Sequence, residues 1–326
     1  MTQQNPILKG ILLGIIQEGI VTDLLNWRTI NNIHEDGLRF DTVPTPGWIP
    51  LDGAIGEETV NGKQIRWSTF ELAKHIDIPT VLEDVSGKGA TVGGRASATQ
   101  LMLLKKGVAY TINDVFVNGD RGSDPNQPDG LNRIVGNLDS SQTVAPGSQL
   151  DISGTSNGQA AIDLLLKGMH QVDGHLPTAA FGNQQFLLRF ESVLRQLSLL
   201  GVDYNWKRAR LEVDDPRRTN TTATTRPAFM FREIPWFDLG YKADQTTQVI
   251  LNTYGDGGLG SNNNTRLFFI KEGPDEFEAI QSRPPTVTSI GVLQDKDNYR
   301  WRFTWVPGFA CWNPRAVVKV IGLKVT

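Results

Sequence analysis

The stretch from Gly94 to Gly136, GRASATQLMLLKKGVAYTINDVFVNGDRGSDPNQPDGLNRIVG, constrains the chain more than any other. Its first half repeats apolar residues at helical spacing. Leu101, Leu104, Val108, Ile112 and Val115 form one stripe, with Met102, Ala109 and Phe116 beside it. A helix with two apolar stripes has to be covered on two sides. From about Arg95 to Val117, at about 1.5 Å per residue, it would run roughly 35 Å, the width of a small domain. Other elements would be organised along it. Asn118-Gly119-Asp120 and the turn residues through Gly130 end the helix, and Leu131 to Gly136 read as a short apolar segment.

At 326 residues the chain can bury a sizeable core, as two domains or one large one. Its 32 basic and 35 acidic residues give a net charge of −3, which argues against a protein that coats nucleic acid with a basic face. The single cysteine, Cys311, excludes an intrachain disulfide and a cysteine-based structural zinc site. It reads as a small apolar strand residue. The run Ile11 to Ile16 is far shorter than the roughly 20 residues of a membrane span, and Gln17-Glu18 end it without a small-residue cleavage site. No membrane partner is expected, and synthesis in the cytoplasm is. Eight tryptophans suit either an aromatic core or aromatic interfaces.

Residues Pro6 to Trp27 carry a one-sided helical pattern broken by Gly10, Gly14 and Gly19. Each interior glycine costs about 1 kcal/mol against alanine, so this segment needs a docking surface. From Thr45 to Thr80 the period changes to two. Gly47 to Leu51 and Gln64 to Phe70 flank Asn61-Gly62, a strong hairpin turn. A two-stranded ribbon is marginal alone in water, so Trp48, Ile65, Trp67 and Phe70 need a surface to lie on, either a neighbour or the chain's own body.

After a polar linker, Asn137 to Gly158, a second compact unit is predicted: a helix over Gln159 to Val172, a strand over Thr178 to Gly182, and a helix over Asn183 to Leu200. Strands are predicted at Phe229 to Trp236, Thr246 to Asn252 and Arg266 to Lys271, then at Glu276 to Arg283, Tyr299 to Val306 and Arg315 to Ile321.

No pattern points to catalysis. His170, Asp173 and His175 form the one histidine cluster, but Gly174 separates them at a predicted helix end. The loop at Asp256-Gly257-Gly258 supplies one carboxylate where calcium needs six to eight oxygens, and Asp295 to Asn298 lack the glycine and closing glutamate of a calcium loop. These read as turns, with no metal and no cofactor expected. The basic residues Lys207, Arg208, Arg210, Arg217 and Arg218 alternate with Asp203, Glu212, Asp214 and Asp215. Three readings stand for them: contacts to DNA phosphates, intersubunit ion pairs, and a solvated loop.

The long helix followed by Asn118, Gly119, Asp120, then Gln127, Pro128, Gly130 and Leu131, resembles the major capsid proteins of tailed bacteriophages, the Hong Kong 97 type. The segments PTAAFGNQQF, from Pro177, and WNPRAVVKVIGL, from Trp312, are similar to that family's axial-domain strand and helix and to its closing strand, with Asn183 standing where an asparagine caps that helix. The resemblance implies an α+β capsid fold and an order of parts. These are an N-terminal arm (1–43), an extended β-hairpin loop (44–84), a peripheral domain with a spine helix (85–150), an axial domain (151–272), and strands returning to the peripheral domain (273–326), the last one to the axial domain.

It further implies a structural protein, not an enzyme. Hexamers and pentamers would close an icosahedral shell around double-stranded DNA contacted without sequence preference. Scaffolding, portal and decoration proteins would be its other partners, and the virion its location. Trp48, Lys63, Ile65, Trp67, Phe70, Arg208 and Arg210 would then lie at subunit interfaces. Some members of the family join an extended-loop lysine to a neighbour's asparagine with help from a glutamate. Lys63 with Asn298 or Asn313 imitates two partners, but no glutamate follows Glu278, so no such cross-link is expected. Two other readings are an encapsulin-type compartment and an α+β enzyme or carbohydrate-binding protein with surface tryptophans.

Overall fold

The computed structural model describes residues 19–40, 62–80, 96–138, 140–154, 156–197, 204–209, 226–256, 259, 263–293 and 296–325. Helix α1 (Ile20–Leu24) leads into strands β1 (Trp27–Thr29), β2 (His34–Phe40), β3 (Gly62–Ser68) and β4 (Leu72–Pro79). The long helix is α2 (Ala96–Asn118). It is followed by α3 (Leu131–Gly136), β5 (Thr143–Val144), β6 (Leu150–Asp151), α4 (Gly158–Gln171), β7 (Ala179–Gly182) and α5 (Gln184–Gln196). The chain continues through β8 (Tyr204–Ala209), β9 (Arg226–Phe231), β10 (Ile234–Asp238), β11 (Asn264–Ile270), β12 (Phe277–Val292), β13 (Asn298–Cys311) and β14 (Val317–Lys324).

Two sheets carry the body. A four-stranded sheet has the order β1-β12-β13-β4. An eight-stranded sheet runs β5-β14-β11-β7-β10-β9-β8, with β6 also on β14. Successive residues of a strand point to opposite faces, and in the larger sheet both faces are apolar. Phe181, Phe237, Phe268 and Ile270 join one core with α2 and α3, while Ala180, Trp236, Leu267 and Phe269 join a second with α4 and α5. This explains the unbroken apolar runs AAF and LFFI in place of an alternating pattern.

Helix α2 lies between the two sheets. Leu101, Val108, Ala109, Ile112, Phe116 and Val117 are buried on it. The second stripe stops short of the N-terminal turns, because Met102 is 61% exposed. Phe116 meets Phe181 of the larger sheet edge-on at 5.2 Å and Phe277 and Phe309 of the smaller one at 6.0 and 5.3 Å. One ring therefore touches both sheets. On the next turn up, the buried Asn113 accepts from Val21 N (3.3 Å) and donates to Leu239 O (3.3 Å), tying α1 and the end of β10 to the helix.

The arm pattern at Pro6 to Trp27 falls partly outside the described residues. From Gly19 onward it lies on its own chain: Val21, Leu24 and Leu25 enter the core of α2, and β1 pairs in parallel with β12. Asn183 caps α5 as expected, its Oδ1 accepting from Gln185 N at 2.8 Å.

The short apolar segment Leu131–Gly136 is a helix with Leu131, Ile134 and Val135 buried. Two expectations need correction. Phe229 to Trp236 is a hairpin, not one strand: Arg232 and Glu233 take φ of 50° and 65° between β9 and β10, a two-residue turn without the glycine or asparagine that usually marks it. Thr246 to Asn252 is not a strand, because Asp244 Oδ1 accepts from Thr246 N (3.0 Å) and Thr247 N (2.9 Å) and its Oδ2 from Thr247 Oγ1 (2.6 Å). Local side-chain bonds compete there with sheet pairing. Strand β3 pairs with β2, from Phe40↔Gly62 to His34↔Ser68; Gly47 to Leu51 and Asn61, the partner strand and turn residue expected for it, lie outside the described residues.

The tryptophans are core residues more than platforms. Trp236 sits among Phe186, Phe190, Phe229, Phe231 and Phe269, and Trp27, Trp67 and Trp301 are half-buried against a core that includes Trp305. No tryptophan with a described side chain is largely exposed.

Replacing Phe116 with alanine is expected to cost about 3–5 kcal/mol, read as a lower urea midpoint at unchanged slope. Acid sensitivity follows from two carboxyls held down to about 2: Asp151, chiefly by the Lys324 ammonium 2.7 Å away, and Asp244, chiefly by Thr247. Their contribution is full above the ordinary 3.8 and disappears as pH falls through about 2. The melting temperature should fall across that window, and Asp244→Ala should flatten the fall.

Candidate assembly interface

Two places combine the sequence motifs with an unusual geometry: the turn after α2 and the root of the β2–β3 ribbon. At the turn, Asn118 Nδ2 donates to Asp114 Oδ1 and to Val249 O, both at 2.8 Å, and Asn118 Oδ1 accepts from Asn132 Nδ2 at 3.3 Å. Gly119 and Gly130 stand back to back, with Gly130 N donating to Gly119 O at 2.8 Å. A Cβ on Gly130 would meet Val115 O at 2.4 Å and Gly119 N at 2.7 Å. Only glycine closes the loop this tightly.

Asp120 fastens the loop's first residues. It accepts from Gly122 N (2.8 Å) and Ser123 Oγ (2.9 Å), and the Gly122 amide is the chief reason its carboxyl lies below the usual range. Pro128 and Leu131 are buried at the closure. The motif residues Asn118, Gly119, Asp120, Pro128, Gly130 and Leu131 thus form a structural staple between α2, α3 and the loop before β11. Nearby, Arg266 lies 4.0 Å over the Tyr254 ring and bonds Asp256 Oδ1 (2.9 Å) and Asn132 Oδ1 (2.9 Å). The Asp256 carboxylate is thereby engaged by a guanidinium.

The ribbon leaves the body where Thr69 N and Oγ1 donate to Ile33 O (2.8 and 2.9 Å) and Phe70 N donates to Pro307 O (2.9 Å). Cross-strand partners share a face. Glu35 with Trp67 and Gly37 with Ile65 form the inner one. Gly37 lies flat on Trp312, since a Cβ there would come within 2.4 Å of the indole. Trp67 and Trp312 both pack against the cluster of Ile30, Ile280 and Ala310. Arg121 of the motif loop sits 5.5 Å from the Phe70 ring. Trp67 and Phe70, expected to rest on a neighbour, are met in large part by their own chain. Lys63 is exposed and Ile65 half-exposed on β3. Ile33 and Leu38 are 64% and 65% exposed at the root and on the outer face.

Beneath the root, Arg28 joins two carboxylates. Its Nη1 and Nη2 donate to Glu35 at 3.0 and 2.6 Å, and its Nε and Nη2 reach Glu278 Oε2 at 3.0 and 2.9 Å. Trp312 Nε1 adds a third donor to that oxygen at 3.2 Å. Burial pushes the Glu278 carboxyl up, against the pull of Arg28. Sequence reading missed this cluster, in which Arg28 and Glu278 lie 250 residues apart. The one available signal was a glutamate between Phe277 and Ala279 in an apolar run.

Several candidates are not brought together. Trp48, Arg210, Arg217 and Arg218 lie outside the described residues, as does Asn61; Arg208 lies on β8, at the end of the larger sheet's order. Gly174, at φ 69°, breaks the chain between His170 and His175, and Asp173 Oδ2 accepts from Asn313 Nδ2 at 3.0 Å. No group of three metal-binding side chains occurs among the described residues. Asn313 also donates to Glu276 Oε2 (2.7 Å), and Asn298 opens β13 opposite Pro79. No described helix is long and apolar enough to cross a membrane.

Gly130→Ala should lower stability by about 1–3 kcal/mol, the usual cost of forcing atoms into filled space, and should broaden the amide signals of residues 119–130 in a nuclear magnetic resonance spectrum.

No protein-family description and no curated protein matches this sequence. Solved structures do match over nearly the full length. The SrpI encapsulin of Synechococcus elongatus PCC 7942 superposes with a TM-score of 0.60 at 11% identity, over 100% of this chain and 92% of that one. The capsid of the native GTA particle gives 0.59 at 13% identity, over 92% and 89%. The Microbacterium phage Oxtober96 chain gives 0.54 at 12% identity, over 93% and 90%. With its long helix between two sheets, its stapled Asn-Gly-Asp turn and its rooted ribbon, this chain has the α+β Hong Kong 97 type fold.

Proposed function

We propose that the chain is a shell subunit, the major capsid protein of a tailed phage. It would assemble as hexamers and pentamers around double-stranded DNA, be made in the host cytoplasm and reside in the virion. The observation that carries this reading is the likeness, over nine-tenths or more of this chain, to capsid and encapsulin subunits. The work of such a protein is association, not catalysis. The ribbon carrying Leu38, Lys63 and Ile65 supplies contact surface to a neighbour, with Trp67 and Phe70 setting its direction from below and Trp48, Arg208 and Arg210 as further contacts. Scaffolding, portal and decoration proteins are its expected partners, and the near-balanced charge of −3 suits a shell that contains DNA without gripping it. An encapsulin-type compartment is the second reading, favoured by the match that spans the whole chain.

Negative-stain electron microscopy of the protein expressed alone and with its genomic neighbours tests this. Closed shells or rings are expected, with nucleic acid inside for a capsid and enzyme cargo for a compartment. A species that stays monomeric in both settings overturns the proposal. Denaturing gels of assembled particles should show the monomer band alone, and a ladder would contradict the absence of a Lys63 cross-link. Leu38→Asp combined with Ile65→Asp should raise the concentration needed for assembly about tenfold or more, as loss of over 1 kcal/mol at an interface does, while leaving the subunit's circular dichroism unchanged.

A further inference from the structure

One guanidinium at the ribbon root serves two carboxylates. Arg28, on β1, holds Glu35 of β2 and Glu278 of β12 at once, so the cluster carries one uncompensated negative charge. The two acids differ in setting. The Glu278 side chain is 9% exposed and Glu35 32%. The other donor to Glu278 is the neutral indole N–H of Trp312, whose ring is also the floor under Gly37 of the ribbon. The charged groups facing Glu278 from the elements packed on it are therefore Arg28 and Glu35, one attracting and one repelling.

We propose that Arg28, Glu35, Glu278 and Trp312 form a proton-sensitive fastening that holds the ribbon root more tightly in mild acid than at neutral pH. A proton on Glu278 removes its repulsion of Glu35 and leaves Arg28 wholly to the ribbon, while the Glu278 carbonyl oxygen still accepts from Trp312. The direction of the Glu278 carboxyl agrees: it is raised, chiefly by burial. A group raised in the folded state adds stability that is complete below its unfolded pKa and lost as pH climbs through its folded one. The fastening therefore loosens from the ordinary glutamate range upward. This is a property of the single subunit and stands or falls apart from whether subunits close into a shell.

Amide hydrogen exchange at Thr69 and Phe70, whose N–H groups bond Ile33 O and Pro307 O at the root, reads it out on the full chain. Wild type and Glu278→Gln are compared at each pH, so the intrinsic pH dependence of exchange cancels. Glutamine is neutral and keeps the acceptor for Arg28 and Trp312. At neutral pH it should protect both amides about threefold to tenfold more than wild type, and the ratio should fall to one in acid. Glu35→Gln, by removing the repelling charge, should move the wild-type transition to lower pH. Equal or weaker protection in Glu278→Gln at neutral pH, or its failure to fold, overturns the proposal, and so does an unshifted transition in Glu35→Gln.

Discussion

The Phe116 ring is the contact on which the rest of the fold depends. It sits on the long helix with an edge toward Phe181 of the larger sheet and toward Phe277 and Phe309 of the smaller. Each aromatic pair contributes about 0.5–1.5 kcal/mol beyond its buried area. Their greater effect is geometric, because a close-packed interior transmits the position of one element to the next. With Phe116 seated, the two sheets have one relative placement. Asn113 adds the polar version of the same constraint one turn earlier, tying α1 and the end of β10 to the helix.

From that anchor the chain places its outward-facing parts. The turn after α2 is stapled by Asn118 and two abutting glycines. Its loop carries Arg121 to the Phe70 ring, where the ribbon returns to the smaller sheet. The ribbon root is then clamped by the Arg28 cluster below and the Thr69 bonds beside it. A two-stranded ribbon that is marginal by itself gains a defined direction this way.

The electrostatics divide along the same lines. Exposed pairs such as Asp36 with Arg66 and Asp77 with Arg300 lie on solvated strand faces, where such contacts contribute little. The cluster at Glu278 is different because that carboxyl is buried and the charges around it are unbalanced. Charge there is coupled to the position of the ribbon, and solvent does not screen it away.

The sequence by itself determined the elements whose signals are local. The spacing of Leu101, Val108, Ile112 and Phe116 specifies α2, Asn183 specifies the start of α5, and the Asn118 to Leu131 motif specifies the turn, because periodicity, capping and glycine geometry act between near neighbours. The unmarked turn at Arg232-Glu233 and the local bonds of Asp244 misled strand reading, since neither leaves a pattern in residue types. Tertiary structure alone decided that β3 pairs with β2 and that Trp67 rests on its own chain. It alone brought Arg28, Glu35, Glu278 and Trp312 together. Those outcomes turn on which surfaces meet after the chain has crossed hundreds of residues, and contacts of that span are set by the packing of the whole.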